Sequence, residues 1–194
     1  MQHQVQESRT TLLMCLTMSQ VNGTKRWSLR PTSTPSTLTV THKGTPMPKQ
    51  SLGKVIKLYT TLKGDAHRHQ HQSLSLDAEG VIGDKFHAKA LERSVLIAST
   101  DSYRLVEENN IAIEEGSLGE NILIDWNPYH LLPGETFRIG ELILQITQNC
   151  TICKGLSNVD PKLPKLLKND RGIFAKVLHS ASINIGDRVQ LSEN

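Results

Sequence analysis

The chain has little aromatic side-chain area: Phe, Trp and Tyr make up 4% of its 194 residues. A core must therefore be built from Leu, Ile and Val. No apolar run approaches the roughly 18–20 residues of a membrane-spanning helix, so no membrane partner is expected. There are only three cysteines. That excludes an extracellular disulfide framework and makes a reducing, cytoplasmic setting the expectation. Acidic residues are almost missing from one end. Residues 1–50 hold six Lys and Arg against Glu7 alone, whereas residues 51–194 hold sixteen basic against eighteen acidic residues, a net charge of −2. The body of the chain is slightly acidic, and its composition supports no nucleic-acid partner. Phosphate-cradling P-loops, the dinucleotide glycine fingerprint, the Gly-x-Ser-x-Gly elbow and the zincin motif are all absent.

The first fifty residues are rich in Ser and Thr, contain four of the eight prolines and show no sustained period. Such a composition buries too little apolar surface to offset ordering entropy, and the stretch reads as mostly disordered. The patch Leu12 to Met18 is expected to make at most a turn or two of helix. A transit peptide, a secretory signal and an upstream extension with Met47 as the natural start compete as readings; poor amphipathicity and a short, broken apolar core favour the extension.

From residue 51 the pattern changes to short apolar runs separated by turn residues. Gly53 to Leu62, Ser73 to Asp77, Arg93 to Ala98, Ile122 to Ile124, Phe137 to Ile139 and Glu141 to Thr147 read as strands, the last two as a hairpin about Gly140. Ser99-Thr100-Asp101 supplies N-cap chemistry for a helix from Asp101 to Asn109. Pro161 and Pro164 confine any helix between Asp160 and Leu167 to a short one. Arg171 to Val177 reads as a helical turn or two, and Ser182 to Leu191 as a closing strand pair around Gly186-Asp187. Many short strands with few, short helices predict a mainly β, barrel or sandwich-like fold.

Two stretches invite chemistry. His67, His69 and His71 alternate, but no carboxylate or cysteine stands at ligand spacing, and a solvated loop is the expected state. Cys150 and Cys153 follow the strand ending at Thr147. A zinc site lacks a second cysteine pair, and a thioredoxin-type dithiol lacks its βαβ context. Residue chemistry leaves open a reactive thiol beside Lys154 and two ordinary small residues in a loop.

The order of several weak motifs is more specific than any one of them. Gly80-Val81-Ile82-Gly83-Asp84-Lys85-Phe86-His87 precedes Arg93-Ser94-Val95-Leu96. Then come Gly116-Ser117-Leu118-Gly119-Glu120-Asn121-Ile122 and Ile146-Thr147-Gln148 running to Cys153. The tail carries Gly172-Ile173-Phe174-Ala175-Lys176-Val177-Leu178 and Ile185-Gly186-Asp187. Over roughly residues 51–192 this series resembles the MOSC domain, named for the C-terminal part of molybdenum cofactor sulfurases, in its stand-alone bacterial form.

The resemblance implies a barrel-like fold over residues 51–194. It also implies that Cys153 stands at the family's cysteine, either as a sulfur ligand of molybdenum in a bound molybdopterin or as a persulfide carrier for metal-centre assembly. A thiolate is a soft ligand suited to such a centre. Molybdenum-ion and pyridoxal phosphate binding are associated with the family as a whole. By position, Arg93 and Asn121 are candidates for the cofactor phosphate, with Asp84 and His87 beside the pocket and His87 as a proton donor. The implied activity is reduction of an N-hydroxylated small molecule with electrons from a separate reductase; a persulfide carrier and a non-catalytic cofactor-binding domain are the alternatives. Departures from the family pattern are Cys150, where many relatives carry Arg, Ile152 in place of Pro, and His87, one residue later than in relatives with Gly-Asp-Arg-His.

Overall fold

The computed structural model describes residues 15–21, 24–30, 51–65, 67–151 and 154–192. The chain divides into two units, Met1–Met47 and Pro48–Asn194. Within the first, β1 (Cys15–Val21) and β2 (Thr24–Arg30) form an antiparallel pair in register from Cys15↔Arg30 to Val21↔Thr24. The helical turn expected over Leu12 to Met18 is thus replaced by a strand from Cys15 onward. The rest of residues 1–50 lies outside the described residues.

The second unit is built on strands β3 (Gly53–Thr60), β4 (His69–His71), β5 (Ser73–Asp77), β6 (Gly80–Val81), β7 (Val95–Ser99), β8 (Ile122–Ile124), β9 (Thr136–Ile139), β10 (Leu142–Asn149), β11 (Ile173–His179), β12 (Ala181–Asn184) and β13 (Arg188–Leu191). Seven of them run in the order β13-β9-β10-β11-β7-β8-β3, and pairing of β13 with β3 closes the ring into a barrel. Closure removes free sheet edges, and neighbouring strands are antiparallel except β7 and β8, which run parallel. β4 hangs on the far end of β3, and β12, β5 and β6 form a separate small sheet.

Strand alternation writes the core. In β10, Leu142, Leu144 and Ile146 are buried while the residues between them are only partly so, and their side chains join Val55, Ile97, Ile122, Ile124, Phe137, Ile139 and Val189 inside the barrel. β7 is different: all five residues are buried because both faces are covered. Val95 and Ile97 face the barrel interior, Ala98 meets a helical cluster, and Leu96 packs with Cys150 and Phe174. The helical cluster comprises α1 (Thr100–Glu108), α2 (Lys154–Val159) and α3 (Leu163–Leu166). α1 begins where the sequence signals it: Ser99 Oγ accepts the Asp101 N–H at 3.1 Å. It ends at Asn109-Asn110, the latter with φ of 57°.

Three local expectations change. His69 to His71 is strand, not loop: it pairs with β3 through Thr60↔His69 and Leu58↔His71. His71 Nε2 lies 2.7 Å from Thr60 Oγ1, and His69 Nε2 lies 2.7 Å from Asp65 Oδ2, so local polar groups satisfy both rings. Ile173 to His179, where Arg171 to Val177 read as helical, is barrel strand β11; pairing with β10 and β7 overrides weak helical signals. β12 and β13 do not pair with each other. β12 joins β5, while β13 joins β9 and β3.

Candidate functional site

β10 delivers the cysteine loop through an irregularity. Its register with β11 slips between Ile146↔Ala175 and Gln148↔Phe174, leaving Thr147 as an extra residue. A bulge of this kind re-aims the strand that carries it. Thr147 Oγ1 donates to the Phe174 carbonyl at 3.0 Å, and the Cys150 N–H donates to the Gly172 carbonyl at 2.8 Å. Cys150 is thereby held buried in the wall of a cleft of about 920 Å³. Ile152 and Cys153 lie outside the described residues.

The cleft is lined from five parts of the chain: the end of β3 with the connection to β4, the segment from Lys85 to Arg93, Leu96 of β7, the glycine turn Glu114 to Asn121, and the cysteine loop with α2, Arg171 and Phe174. Five basic side chains reach it, Arg68, Lys85, Lys89, Arg93 and Arg171, against the acids Glu114 and Glu115, of which Glu115 pairs with Lys57. Apolar surface comes from Phe86, Leu96, Leu156, Val159 and Phe174. A cleft of this size, with apolar walls and several cations, suits a ligand with a negatively charged end.

Of the residues named from sequence, Arg93 and Asn121 line this cleft. The Arg93 guanidinium lies 4.6 Å from the centroid of the Phe174 ring, a cation–π stack that keeps its charge at the cleft wall. Asn121 is built into the barrel. Its Oδ1 accepts the Leu96 N–H at 3.1 Å, and its Nδ2 donates to the Tyr59 carbonyl at 3.3 Å and to Asp84 Oδ2 at 3.2 Å. Its own N–H donates to Leu96 at 2.7 Å, and its carbonyl accepts the Tyr59 N–H at 2.8 Å. One residue thus acts as two peptide units joining β3 to β7.

Asp84 is buried beneath the same corner. It also accepts the Thr61 N–H at 2.8 Å and the Phe86 N–H at 2.9 Å. Its carboxylate sets the path of the Lys85–Phe86 turn and is not among the groups lining the cleft. His87 also lies off the lining: its Nε2 is 2.9 Å from Asp77 Oδ1. The hydrogen bond from His87 pulls the Asp77 carboxyl below the usual carboxylate range. Among the described histidines, His67 is the one that lines the cleft.

Sequence reasoning passed over Arg68, Glu120 and Arg171. Arg68 Nη2 donates to the Gly119 carbonyl. Arg171 donates from Nη1 to Thr151 at 2.9 Å and from Nη2 to Leu118 at 3.0 Å. Glu120 is fully buried; its Oε1 accepts the Tyr103 hydroxyl at 2.6 Å and the Gly116 N–H at 2.9 Å. Burial pushes the Glu120 carboxyl up and pulls the Arg68 guanidinium down, each opposed by the other's charge. Burial also pushes the Tyr59 phenol, on the cleft wall, up to about 12. The sequence cue for Arg171 was the glycine after it: a β-carbon at Gly172 would meet the Ile97 carbonyl oxygen at 2.7 Å, so β11 can approach β7 closely only there.

Comparison with known proteins agrees with this architecture. Among curated proteins none matches the chain in sequence. Among solved structures, the YuaD protein from Bacillus subtilis superposes with a TM-score of 0.60 at 16% identity, over 73% of this chain and 96% of that one. YiiM from Geobacillus stearothermophilus gives 0.55 at 16% identity, over 75% and 76% of the two chains, and YiiM from Escherichia coli 0.55 at 18%, over 73% and 70%. At these identities the likeness is one of fold. The family model for the MOSC domain matches residues 68–190, well over half of the chain, and takes in the five cations of the cleft, the glycine turn and the cysteine loop: the chain belongs to the MOSC domain family.

Proposed function

We propose that the cleft binds molybdenum cofactor, with Cys153 as sulfur ligand, and that the protein reduces N-hydroxylated small molecules with electrons from a separate reductase. One observation carries the reading. The cleft wall holds Cys150, three residues before Cys153, and buried Arg171 and partly buried Arg68 each keep one buried guanidinium nitrogen without a partner among the described residues. Buried cationic donors left open fit the phosphate of a pterin cofactor, and thiolate fits a soft metal. When bound, the cofactor supplies the metal centre and the electron pair that break an N–O bond.

The chain's own groups have definable parts. Arg93, stacked on Phe174, and Lys85 bias the cleft toward anionic ligands. Buried Leu156, with the half-exposed Phe86 and Val159, gives the cleft an apolar side for the substrate. Conversion of N–OH to N–H with release of water consumes protons. His87, the donor expected from sequence, bonds Asp77 instead, and His67 on the cleft wall takes that role. The test is metal analysis of protein made in a host that synthesises the cofactor. Wild type should carry molybdenum and Cys153→Ala should lose it. Wild type without molybdenum, or Cys153→Ala with an undiminished content, sinks the proposal.

A further inference from the structure

Outside the cleft, the backbone draws one further group of donors together. β5 and β6 form a hairpin in which Asp77 pairs with Gly80, so Ala78 and Glu79 make its tip. The Glu79 N–H donates to Asp77 Oδ1 at 2.9 Å and folds the tip toward that carboxylate. The turn that follows comes back to the same place. The His87 N–H donates to the Asp84 carbonyl at 3.0 Å, and the Ala88 N–H donates to the Glu79 carbonyl at 3.1 Å. His87 Nε2 thus stands 2.9 Å from Asp77 Oδ1. Donor atoms of Asp77, Glu79 and His87 all lie within 4.8 Å of one another.

Two carboxylates at a hairpin tip are ordinary, but the imidazole comes from a separate turn and makes a mixed nitrogen and oxygen set. The set is also partly sheltered: the side chains of His87 and Asp77 are 25% and 39% exposed. No lysine or arginine among the described residues pairs with Asp77 or Glu79. Lys85 and Lys89, on the same turn as His87, lie over the Phe86 ring instead, at 5.2 and 5.7 Å from its centroid. Bonds of about 2.0–2.2 Å in a tetrahedral set put two donors about 3.3–3.6 Å apart, so the widest separation must close by little more than about 1 Å. A χ rotation at exposed Glu79 covers that distance. Imidazole suits zinc, nickel and copper, carboxylate suits harder ions, and one nitrogen with two oxygens falls between them.

We infer that Asp77, Glu79 and His87 form a site for a late first-row divalent cation of the zinc type, which fastens the β5–β6 hairpin to the turn carrying Lys85 and Phe86. The imidazole binds through the nitrogen that bonds Asp77 in the metal-free protein. Lys85 and Phe86 line the cleft, whereas none of the three ligands does. The ion therefore steadies one lip of the cleft from behind, without touching what binds there. The inference is independent of the proposed function, since neither the cysteine loop nor any cofactor takes part.

The experiment uses the full chain, freed of metal and titrated with cobalt(II) as a spectroscopic stand-in for zinc, and in parallel with magnesium. Cobalt binding should saturate and give weak visible bands without the intense near-ultraviolet charge-transfer band of a thiolate ligand. It should also slow hydrogen exchange of the amides of residues 85–89 at least about threefold. Glu79→Gln and His87→Ala should each weaken cobalt binding at least about tenfold, and His69→Ala should leave it unchanged. Glu79→Gln is the decisive variant: its side chain makes no hydrogen bond or ion pair among the described residues, so lost binding there is not lost structure. No saturable cobalt binding overturns the inference, as does a spectrum with thiolate features alone. Binding undiminished in Glu79→Gln or in His87→Ala, or lost in His69→Ala, overturns it too. So does magnesium bound as tightly as cobalt, which marks a plain carboxylate pair in which the imidazole takes no part.

Discussion

Replacing Asn121 by Ala tests whether this residue holds the barrel together or serves a ligand. The side chain makes three buried hydrogen bonds, to Leu96, Tyr59 and Asp84. Alanine leaves the Leu96 N–H without an acceptor in a strand that is buried throughout. An unsatisfied buried N–H costs about 1–3 kcal/mol, and loss of a donor to a carboxylate adds about 1.5 kcal/mol. The Tyr59 carbonyl bond is longer, at 3.3 Å, and adds less. The expected loss is about 3–4 kcal/mol, a drop in melting temperature on the order of 10 °C for a domain of this size. Thermal and urea unfolding of the full chain measure it. Asn121→Asp should be at least as damaging, because it removes the Nδ2 donor and sets a carboxylate 3.2 Å from Asp84. A loss below about 1 kcal/mol in Asn121→Ala would refute the structural role. Retention of molybdenum, assayed well below the melting temperature, should be unchanged if Asn121 acts only as a strand connector.

Gly119→Ala should cost about 1–2 kcal/mol from its φ of 90° alone, and its added carbon would press on Arg68 Nη2 at 3.3 Å; thermal unfolding reads the loss. Glu120 makes stability fall with pH. Its carboxyl is raised in the fold, so its contribution is complete below the unfolded value and is lost as pH climbs through the higher folded value. Glu120→Gln keeps the acceptor for Tyr103 and Gly116 and cannot ionise; its denaturation midpoint relative to wild type should rise as pH climbs above the ordinary carboxylate range. A difference independent of pH contradicts the assignment.

Much of the architecture is visible in one dimension because it rests on local signals. The alternation Leu142, Leu144, Ile146 marks a strand with one face in the core, and Ser99 before Asp101 marks the start of α1. The segments that misled were those whose neighbours lie far along the chain. β11 takes its strand state from β10 and β7, and His69 to His71 takes its from β3; nothing within either segment encodes those partners. Asp84 and Asn121 were legible as a pair of polar residues next to glycine turns. Their mutual bond spans 37 positions, so their work as structural connectors was not.

What the sequence alone determined is the family, the mainly β barrel and the presence of a cysteine loop after a strand, because motif order and strand periodicity survive without coordinates. What only the tertiary structure decided is which charges share the cleft. Arg68 and Arg171 stand more than a hundred positions apart in sequence and meet across Gly119. Their proximity is set by barrel closure, and burial, which turns two ordinary arginines into open donors in want of an anion, is a property of the packed fold.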